Sequence, residues 1–525
     1  MQFPASWFED EVRDGFYVPA IMKRAWAAEL EVLSDVASVC KKYHIRWFMD
    51  SGSLIGAVRH HGFIPWDDDL DICMFREDYA LFNSVMEREL PGYHIYIQNT
   101  DSRRCVYTCL ANSDSIRWDP QHMEKYHGFP YIAGIDIFPL DYIAPDPEDE
   151  ELRENLILIV RSAAESINDE NQATEEMEAR IAHIEELLSV RLDREKPLKE
   201  QLFLLLEALF SMYTADEASE AAVLHYWMRS KTSRYPLRCF KELLTFPFEI
   251  TEVSVPAGYD EVLRSYYGDY MKFCRSGGEH DYPYFQDMER RLMGMAGENH
   301  PFCRLFFSPK DLRPELVTRG RNGNSHAEKP GKTLRVVFFP FRASAWGVME
   351  PYWRQALADP GCEVSVIPVP YYYKGPDGAP GEMYYEKDLF PKEVPVSDYR
   401  TYDMDKNRPD VAFIHNPYDE YNLTASVHPS FYARNLKQYT ELLIYIPWFN
   451  PILEEFDPED QKALYNMPYY AAMPGPAYAD RTIVRSERMR QAYIDCLTRF
   501  AGGATQMIWE EKITCNSRIP FLKMR

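Results

Sequence analysis

The sequence predicts an α/β protein of two domains, and three features of its 525 residues point to that class. Strand patterns alternate with helical patterns through the first half, as in α/β and α+β domains. Residues 298–333 lose hydrophobic periodicity and gain Pro, Gly, Asn and charge, which is typical of a linker. Beyond residue 334, near-continuous apolar runs separated by helical patterns indicate a parallel sheet covered on both faces. We therefore expect domains at 1–297 and 334–525.

The individual elements follow the spacing of apolar residues, every third or fourth for a helix and every second for an exposed strand. In the first half, helices are predicted at 19–43, 51–61, 76–90 and within 146–222, and strands at 45–50, 67–75, 93–100 and 134–141. In the second half, a helix is predicted at 346–358 and strands at 334–341, 362–369, 409–417 and 441–449.

Composition narrows the class of protein. Hydrophobic residues make up 46% and charged residues 27%, which excludes a disordered or collagen-like chain. The formal net charge of −24 argues against a nucleic-acid partner and against electrostatic attachment to anionic lipid. The ten cysteines are scattered without a CxxC pair, in a chain large enough to need no disulfides. We expect a reduced, cytoplasmic protein.

No transmembrane segment is expected. A spanning helix needs about 18 consecutive apolar residues, and the runs at 202–210 and 441–449 are shorter. The first residues, MQFPASWFEDEVRD, lack the cationic and then apolar layout of a signal peptide. The expected location is the cytoplasm, with membrane contact limited to a peripheral one at the inner face.

The strongest chemical signal is the acidic run in IPWDDDLDIC (64–73). On a strand, residues two apart face the same side, so Asp69 and Asp71 are expected to project together. Asp67 joins them if the strand begins that early, while Leu70 points into an apolar layer. A solvated acidic turn is the alternative, and the apolar alternation that follows the run weakens it.

Such a group of carboxylates predicts a bound cation. Carboxylates this close repel one another and raise one another's pKa unless a cation lies between them. Mg²⁺, with Mn²⁺ as the alternative, fits because it binds carboxylate oxygens and completes its shell with water and substrate phosphate. An EF-hand calcium loop is excluded because Ile72 stands where that loop needs glycine.

A Gly-Ser sequence in MDSGSLIGAVRH predicts a phosphate site close to the acidic run. Gly52 permits close backbone approach, and a helix opening at Ser53 would present free N–H groups to a phosphate. Arg59 follows on the same helix and is placed to balance phosphate charge. A simple helix cap is the commoner meaning of Gly-Ser. His60 and His61 are candidate metal ligands, although exposed histidines at a helix end are more common.

A third carboxylate, Asp136, lies in GIDIFPLD (134–141) between two isoleucines. If the isoleucines pack inward, Asp136 faces the other side of the sheet, where it would complete a metal site and accept the proton of an attacking hydroxyl. A solvent-exposed aspartate on an edge strand is equally compatible with the pattern. Asp141 is predicted to be a turn residue.

The motif GSLIGAVRHHGFIPWDDDLDICMFREDY (52–79) resembles the signature of LicD-type proteins, the bacterial phosphocholine transferases related to fukutin and fukutin-related protein. The resemblance extends to GIDIFPLD and to residues 245–273, and so covers roughly 20–275. It implies a nucleotidyltransferase-like fold with a Gly-Ser turn, an Asp-x-Asp pair and a third Asp. In this chain those positions are Gly52 with Ser53, Asp69 with Asp71, and Asp136.

The resemblance implies transfer of a phospho-group from a CDP-activated donor, such as CDP-choline, to a hydroxyl of a cell-surface glycan precursor such as lipopolysaccharide or teichoic acid. Phosphoryl transfer mainly requires positioning and charge neutralisation, and a metal held by carboxylates provides both. It implies Asp69 and Asp71 as metal ligands, joined by Asp136, which would also be the general base. Glycerol- and ribitol-phosphate donors remain open.

Further residues are assigned to the donor site under the same implication. Gly52, Ser53 and Arg59 would bind phosphate, and Asp67 is added as a neighbour of the metal ligands. Arg76 either contacts the donor or pairs with Glu77 or Asp78, and we expect the structural pairing.

Two other functions remain compatible with the sequence. A true nucleotidyltransferase, which releases pyrophosphate, would use the same arrangement of aspartates. A catalytically silent glycan-binding scaffold would not need the aspartates at all.

A zinc site can be assembled from C-x₃-C and H-x₄-H spacings. Its ligands would be Cys105, Cys109, His122 and His127. Unpaired cysteines are more often small buried hydrophobic residues, which is the interpretation we favour.

The second half, at 334–450, is weakly similar to the amino-terminal part of CDP-glycerol glycerophosphotransferases, in VVFFPF and PDVAFIHNPYDEYN. Those enzymes resemble two-lobed glycosyltransferases whose nucleotide site lies largely in a second lobe, for which the chain up to residue 525 leaves no room. We therefore expect a Rossmann-like domain that binds or docks the acceptor.

Four polar residues of this half lie where a predicted strand ends, which is the usual ligand position in parallel sheets. They are His415, Asn416, Tyr418 and Asp419. A packed loop capped by the asparagine is the alternative.

Overall fold

The computed structural model describes residues 1–96, 107–167, 175–275, 282–296, 300–318 and 333–515. The chain divides into two compact units, so the predicted α/β class with two domains is confirmed. Unit 1 comprises Met1, Trp26–Asp119 and Pro130–Ser276, and unit 2 comprises Gln2–Ala25, Pro120–Phe129 and Gly277–Arg525.

The strands of the described residues are numbered in chain order. They are β1 (Glu11–Arg13), β2 (Phe16–Val18), β3 (Phe48–Met49), β4 (Asp71–Phe75), β5 (His94–Tyr96), β6 (Thr108–Ala111), β7 (Gly134–Tyr142), β8 (Glu220–Ala222), β9 (Arg234–Pro236), β10 (Leu243–Phe248), β11 (Thr251–Pro256), β12 (Leu334–Phe339), β13 (Cys362–Val366), β14 (Tyr371–Lys374), β15 (Pro380–Tyr384), β16 (Val411–Ile414), β17 (Ala425–Val427), β18 (Leu442–Tyr445), β19 (Arg481–Val484) and β20 (Ile513–Cys515).

The α-helices are numbered in the same way. They are α1 (Ala20–Tyr43), α2 (Ser51–Ile55), α3 (Arg76–Glu89), α4 (Pro120–Lys125), α5 (Pro147–Ser166), α6 (Glu175–Leu188), α7 (Leu198–Phe210), α8 (Leu224–Ser230), α9 (Tyr259–Tyr267), α10 (Gln286–Ala296), α11 (Pro314–Thr318), α12 (Glu350–Leu357), α13 (Ala433–Tyr439), α14 (Gln461–Asn466), α15 (Pro468–Ala471), α16 (Pro474–Tyr478), α17 (Glu487–Ala501) and α18 (Gln506–Lys512). None of these described helices is both long and apolar enough to cross a membrane.

Unit 1 is built on a mixed seven-stranded sheet in the order β3-β4-β7-β6-β5, with β8 added to β7 and β9 to β8. Strands β4 and β7 are parallel, and the other pairs are antiparallel. Strand β7 therefore has a partner on both sides. The edge-strand reading of Asp136 is excluded, because the residue lies in the middle of the sheet. Its neighbours Ile135 and Ile137 are buried, as the alternation predicted.

Helix α1 begins and ends within one residue of the predicted 19–43. Its apolar face includes the buried Trp26, whose ring stacks on Phe63 with centroids 4.8 Å apart. The Trp26 indole N–H also donates to the carbonyl oxygen of Asp67 at 3.0 Å. The helix thereby fixes the loop that carries the acidic run.

Several element boundaries in unit 1 differ from the prediction. Strand β3, predicted at 45–50, is only Phe48–Met49, and of the strand predicted at 93–100 the structure describes His94–Tyr96, residues 97–100 lying outside the described ranges. Strand β4 begins at Asp71 rather than 67, where its pairing with Asp136 of β7 begins. Helix α2 begins at Ser51 rather than Ser53 and continues as a π-helical turn over Gly56–His60. The region predicted as helical at 146–222 contains α5, α6 and α7, whose apolar faces share one core, and ends in β8.

Unit 2 is built on a six-stranded parallel sheet in the order β13-β12-β16-β18-β19-β20. Alternate residues of a strand enter separate cores: Val336 and Phe338 of β12 pack in one, Val337 and Phe339 in the other. Both faces of the sheet are therefore covered, as the continuous apolar runs predicted. A three-stranded sheet, β15-β14-β17, and the hairpin β1-β2 complete the sheets of this unit within the described residues.

The unit boundaries differ from the predicted domains at 1–297 and 334–525. Residues Gln2–Ala25 group with unit 2, and the division after α9 falls at 276 rather than 297. The described part of the predicted linker also belongs to unit 2, because Leu316 and Val317 are buried in its core. Residues 319–332 lie outside the described ranges.

Candidate active site

The Gly-Ser sequence forms a corner that is bonded to the first residue of β4. The backbone N–H of Asp50 donates to the carbonyl oxygen of Asp71 at 3.1 Å, and the N–H of Asp71 donates to Oγ of Ser53 at 2.8 Å. Between them Ser51 has a φ of 49°, a left-handed conformation that is uncommon outside glycine and recurs at functional sites. The corner and the acidic strand therefore form one rigid unit.

Gly52 permits a close approach of the acidic loop to this corner. A Cβ built on Gly52 would lie 2.7 Å from Oδ2 of Asp67, closer than real Cβ contacts. Only glycine at position 52 therefore lets the Asp67 carboxylate keep its position. The close approach predicted for Gly52 is thus an approach of the Asp67 side chain to its backbone.

The acidic run keeps its alternation although its first half is a loop. Asp67, Asp69 and Asp71 are each partly exposed, whereas Asp68 and Leu70 are both 1% exposed. This pattern agrees with one shared face for the three alternate aspartates.

Asp71 and Asp136 are paired across the parallel strands β4 and β7, with their α-carbons in register. The backbone N–H of Asp136 donates to the carbonyl oxygen of Leu70 at 3.0 Å, which extends the ladder by one residue. Residues in register on neighbouring strands direct their side chains to the same face of a sheet. The third predicted carboxylate therefore meets the Asp-x-Asp pair.

The electrostatics of Asp71 agree with several carboxylates lying near it. Burial raises the pKa of Asp71 well above its usual value, and the charges of Asp69, Asp136, Asp50 and Asp67 raise it further, in that order. Burial also raises the pKa of Asp50 to about 6, although hydrogen bonds from Ser51 act in the opposite direction. The site therefore favours a bound proton or a cation.

The donor set fits a hard divalent cation. Asp69, Asp71 and Asp136 offer carboxylate oxygens, which Mg²⁺ prefers, and Mg²⁺ commonly takes only one or two carboxylates and completes its shell with substrate phosphate and water. Within the described residues, no group of three or more His, Cys, Asp or Glu side chains is arranged so that it could hold a metal ion by itself. An Mg²⁺ or Mn²⁺ ion at this site stays a prediction.

Cys109 faces this cluster, although from the sequence it was considered only as a zinc ligand. Cys109 is in register with Asp136 on the antiparallel strand β6. Burial raises the pKa of its thiol, and the charge of Asp136, a hydrogen bond with it and the charge of Asp71 add to the rise. Only the pairing of β6 with β7, which no local pattern reveals, brings Cys109 here.

Asp50 and Tyr267 also border the cluster and were not predicted. Loss of water around its hydroxyl raises the pKa of Tyr267, and Asp50 and Asp71 raise it further, although 39% of the residue is exposed. A hydrogen bond with the Ser51 side chain acts in the opposite direction. Asp50 adjoins the Gly-Ser motif and was open to prediction, whereas Tyr267 comes from a remote helix.

Comparison with known proteins agrees with this geometry. Residues 44–154 match the family model described as LicD/FKTN/FKRP, nucleotidyltransferase domain. This stretch is a LicD/FKTN/FKRP-type domain. It contains the corner, the acidic run, β4 and most of the pairing partners described above, so the predicted resemblance is confirmed for this region.

Two curated relatives are similar to parts of the chain. The lipopolysaccharide cholinephosphotransferase LicD of Haemophilus influenzae is 34% identical over 122 residues, which are 21% of this chain and 46% of that protein. The ribitol 5-phosphate transferase FKRP of Mus musculus is 27% identical over 126 residues, 24% of this chain and 22% of that protein. The alignments thus span less than half of either relative. The resemblance of 334–450 to glycerophosphotransferases stays a prediction.

Arg59 of the LicD-type domain is engaged with backbone. Its guanidinium donates to the carbonyl oxygens of Tyr270 and, at 3.4 Å, Lys272, and lies over the Phe273 ring at 5.0 Å. Its Nε also donates to Nε2 of His60 at 2.8 Å, so that lone pair is in use and His60 is a poor metal ligand as placed. His61 is exposed at the end of the helical turn. Phosphate binding by Arg59 stays a prediction.

Arg76 forms a structural ion pair, but with a different partner from the one predicted. Its Nε and a terminal nitrogen donate to the two carboxylate oxygens of Asp141 at 2.6 and 2.9 Å. Asp141 is not a turn residue: it lies on β7 and is 1% exposed, because the strand continues through Pro139 to Tyr142. Arg76 therefore links α3 to β7 through this ion pair. The pair by itself accounts for an arginine at this position, without a contact to the donor.

The proposed zinc ligands do not form a described site. Cys105 lies outside the described residues. The His122 ring lies 4.7 Å from that of Tyr126, and the His127 ring 4.7 Å from that of Phe3. A zinc site stays a hypothesis.

The four polar residues after β16 in unit 2 are all buried. Nε2 of His415 accepts from the N–H of Phe341 at 2.9 Å, and burial lowers its pKa to about 3. Asp419 accepts from the N–H of Ala433 at 2.7 Å, and burial raises its pKa to about 8. His415 and Asp419 therefore support a packed loop, which was the alternative prediction. Asn416 and Tyr418, in contrast, line a cavity.

Proposed function

We propose that this protein is a Mg²⁺-dependent phosphotransferase that moves phosphocholine, or a related phospho-alditol, from a CDP-activated donor to a hydroxyl of a cell-surface glycan precursor. The LicD-type domain supports a transferase of phosphate-containing groups. The CDP-activated donor, the Mg²⁺ ion, the glycan acceptor and a cytoplasmic location for the reaction are parts of this proposal.

One observation carries the proposal: the corner, the Asp-x-Asp pair and the third aspartate are held together by short-range geometry. Ser53 bonds to the backbone of Asp71, and Asp71 is in register with Asp136. A phosphate at the start of α2 would thus lie beside carboxylates able to hold a cation. An acidic surface turn would not require this burial and pairing.

The residues divide the chemistry between them. Asp69 and Asp71, joined by Asp136, would hold Mg²⁺, which when bound neutralises charge on the donor phosphates. The N–H groups at the start of α2 would bind a phosphate oxygen, and Gly52 would keep the approach open. Asp136 would accept the proton of the acceptor hydroxyl as its oxygen attacks phosphorus and CMP leaves.

Donor binding is the first test. Thermal-shift measurements with CDP-choline, CDP-glycerol and CDP-ribitol, each with and without Mg²⁺, should show a higher melting temperature for the true donor when the metal is present. Asp71→Asn should lose that shift, whereas Asp114→Asn, an exposed carboxylate of the same unit, should keep it. The proposal fails if no cytidine nucleotide shifts the melting temperature.

Product analysis then separates the alternatives. With labelled donor and a glycan-lipid extract as acceptor, the proposal expects free CMP and labelled glycan. Release of pyrophosphate from a nucleoside triphosphate would instead identify a nucleotidyltransferase. Full retention of function in an Asp69→Ala/Asp71→Ala variant would indicate a silent scaffold.

A further inference from the structure

Unit 2 contains a cavity of about 160 Å³ that the transfer chemistry of unit 1 does not use. It lies at the carboxyl edge of the parallel sheet, between the loops after β12, β16 and β18, where parallel sheets usually bind ligands. Arg342, Asn416 and Trp448 from these loops line it, and Asp10 of the amino-terminal segment closes one side.

The single guanidinium in the lining is already neutralised. Arg342 pairs with Glu9 at 2.7 Å, and its guanidinium lies over the Tyr371 ring at 4.4 Å. An anionic ligand would have to displace Glu9. The cation also covers the Tyr371 face that a quaternary ammonium ligand would need.

The buried carboxylate in the lining is saturated as well. Asp10 accepts from the hydroxyl of Tyr17 at 3.0 Å, from the N–H of Ala20 at 3.1 Å and from the amide of Asn422. It therefore offers little to a cationic ligand. Glu9, which also lines the cavity, is itself paired with Arg342 and accepts from the hydroxyl of Tyr373. With all three charged groups of the lining compensated inside the protein, the cavity favours a neutral polar ligand.

One amide donor in the lining remains for such a ligand. Oδ1 of Asn416 accepts from the N–H of Tyr418 at 3.3 Å, while its Nδ2 has no acceptor among the described residues. Because Asn416 lines the cavity, this N–H group can donate to a ligand that enters it. Trp448 and Phe341 add aromatic surface to the same lining.

The volume sets the size of the ligand. An engineered cavity of about 150 Å³ holds benzene, so a cavity of about 160 Å³ accommodates one six-membered ring. We propose that this cavity binds a single neutral sugar ring, which accepts a hydrogen bond from Asn416 and packs against Trp448. That the sugar belongs to the glycan acceptor rests on the proposed function; the binding itself does not.

The test is a fluorescence titration of the full-length protein with glucose, galactose and N-acetylglucosamine, without nucleotide or Mg²⁺. At least one sugar should change the tryptophan emission, and Trp448→Phe should remove most of that change. Asn416→Asp keeps the acceptor for Tyr418 but loses the free donor, and should weaken binding about three- to tenfold. Asn407→Asp, a matched change outside the cavity, should bind as the unaltered protein does.

A second variant tests the same cavity at an exposed position, where a substitution is less prone to disturb folding. Ser344 is exposed and lines the cavity, so Ser344→Phe should block it without disturbing the core. The inference is overturned if none of the sugars binds up to its solubility limit, if Asn416→Asp and Ser344→Phe both bind normally, or if choline or inorganic phosphate competes for the cavity. Asp71→Asn should abolish transfer yet retain sugar binding, which separates this inference from the proposed function.

Discussion

Asp71 of β4 and Asp136 of β7 stand in register on neighbouring parallel strands, so two carboxylates leave the same face of the sheet at its centre. Such pairs are normally avoided, because like charges on adjacent strands repel. Here other carboxylates add to the repulsion, and the pKa of Asp71 is raised well above its usual value. The arrangement lowers stability at the site that we propose binds the metal.

Asp71→Asn should therefore stabilise the metal-free protein while reducing transfer roughly a hundredfold or more. Because the pKa of Asp71 is raised in the folded chain, its carboxyl lowers the free energy of unfolding increasingly as the pH rises above the ordinary value of 3.8. The gain should therefore be present at pH 7 and largely vanish at about pH 3, where the carboxyl is mostly protonated in both states. Melting temperatures at the two pH values, and transfer rates with Mg²⁺, measure both effects. An equal gain at both pH values, or a similar gain in Asp114→Asn, would contradict this account.

Gly52→Ala should impair transfer with little change in stability. The new methyl group would meet Asp67 at 2.7 Å, and displacing that carboxylate disturbs the acidic loop beside the corner. We expect a loss of roughly tenfold or more in transfer rate, since small misplacements at a reacting site have large effects. Gly347→Ala, where a Cβ meets nothing within 4 Å, is the matched control. Wild-type transfer by Gly52→Ala would show that the close approach is unimportant.

Arg76→Met should destabilise the protein by about 3–5 kcal/mol, because it leaves the buried Asp141 carboxylate without its partner. The double variant Arg76→Met/Asp141→Leu should recover much of that loss. Urea unfolding measures both, and Arg354→Met, which breaks an exposed pair with Glu350, should cost less than about 1 kcal/mol. If Arg76→Met instead raised KM for the donor and left the free energy of unfolding unchanged, Arg76 would be a donor-binding residue.

Asp419→Asn should change how stability depends on pH. The folded chain holds the Asp419 proton up to a pKa of about 8, against an ordinary 3.8, so the free energy of unfolding contributed by this group falls as pH rises from 4 to 8. Asparagine keeps an acceptor for the N–H of Ala433 and tolerates the φ of 49° at this position.

Across that pH range, the difference in free energy of unfolding between Asp419→Asn and the unaltered protein should shift in favour of the variant by up to about 1.4 kcal/mol per pH unit. Urea unfolding at pH 5, 6.5 and 8 gives the comparison. Asp405→Asn, at an exposed carboxylate, should show no such trend. Parallel stability curves for Asp419→Asn and the unaltered chain would mean that Asp419 is ionised in the folded state.

The sequence predicted correctly those elements whose form is set by the spacing of apolar residues within one segment. Helix α1, the alternation around Asp69 and Asp71, and the doubly covered sheet of unit 2 all follow from apolar spacing within one segment. The start of β4 and the burial of Asp141 did not follow, because they depend on the length and identity of partner strands.

Long-range contacts account for the rest. Cys109 and Tyr267 reach the acidic cluster only through tertiary pairing. Cys109 was considered only for zinc and Tyr267 only as part of the resemblance at 245–273, and no local pattern places either beside the aspartates. The same holds for the amino-terminal segment: the hydroxyl of Tyr17 lies 2.6 Å from that of Tyr418, a residue 401 positions later. The predicted domain at 1–297 included this segment, whereas in the structure the segment belongs to unit 2.

That segment has a consequence for synthesis on the ribosome. Phe16–Val18 is wholly buried in the finished protein, and the Tyr17 ring packs in the core of unit 2. Tyr418 is translated 401 residues after Tyr17, a delay of roughly 20–80 s at ordinary elongation rates. Throughout that interval the nascent chain displays an apolar strand with no native partner, so its maturation should depend on chaperones that shield this strand.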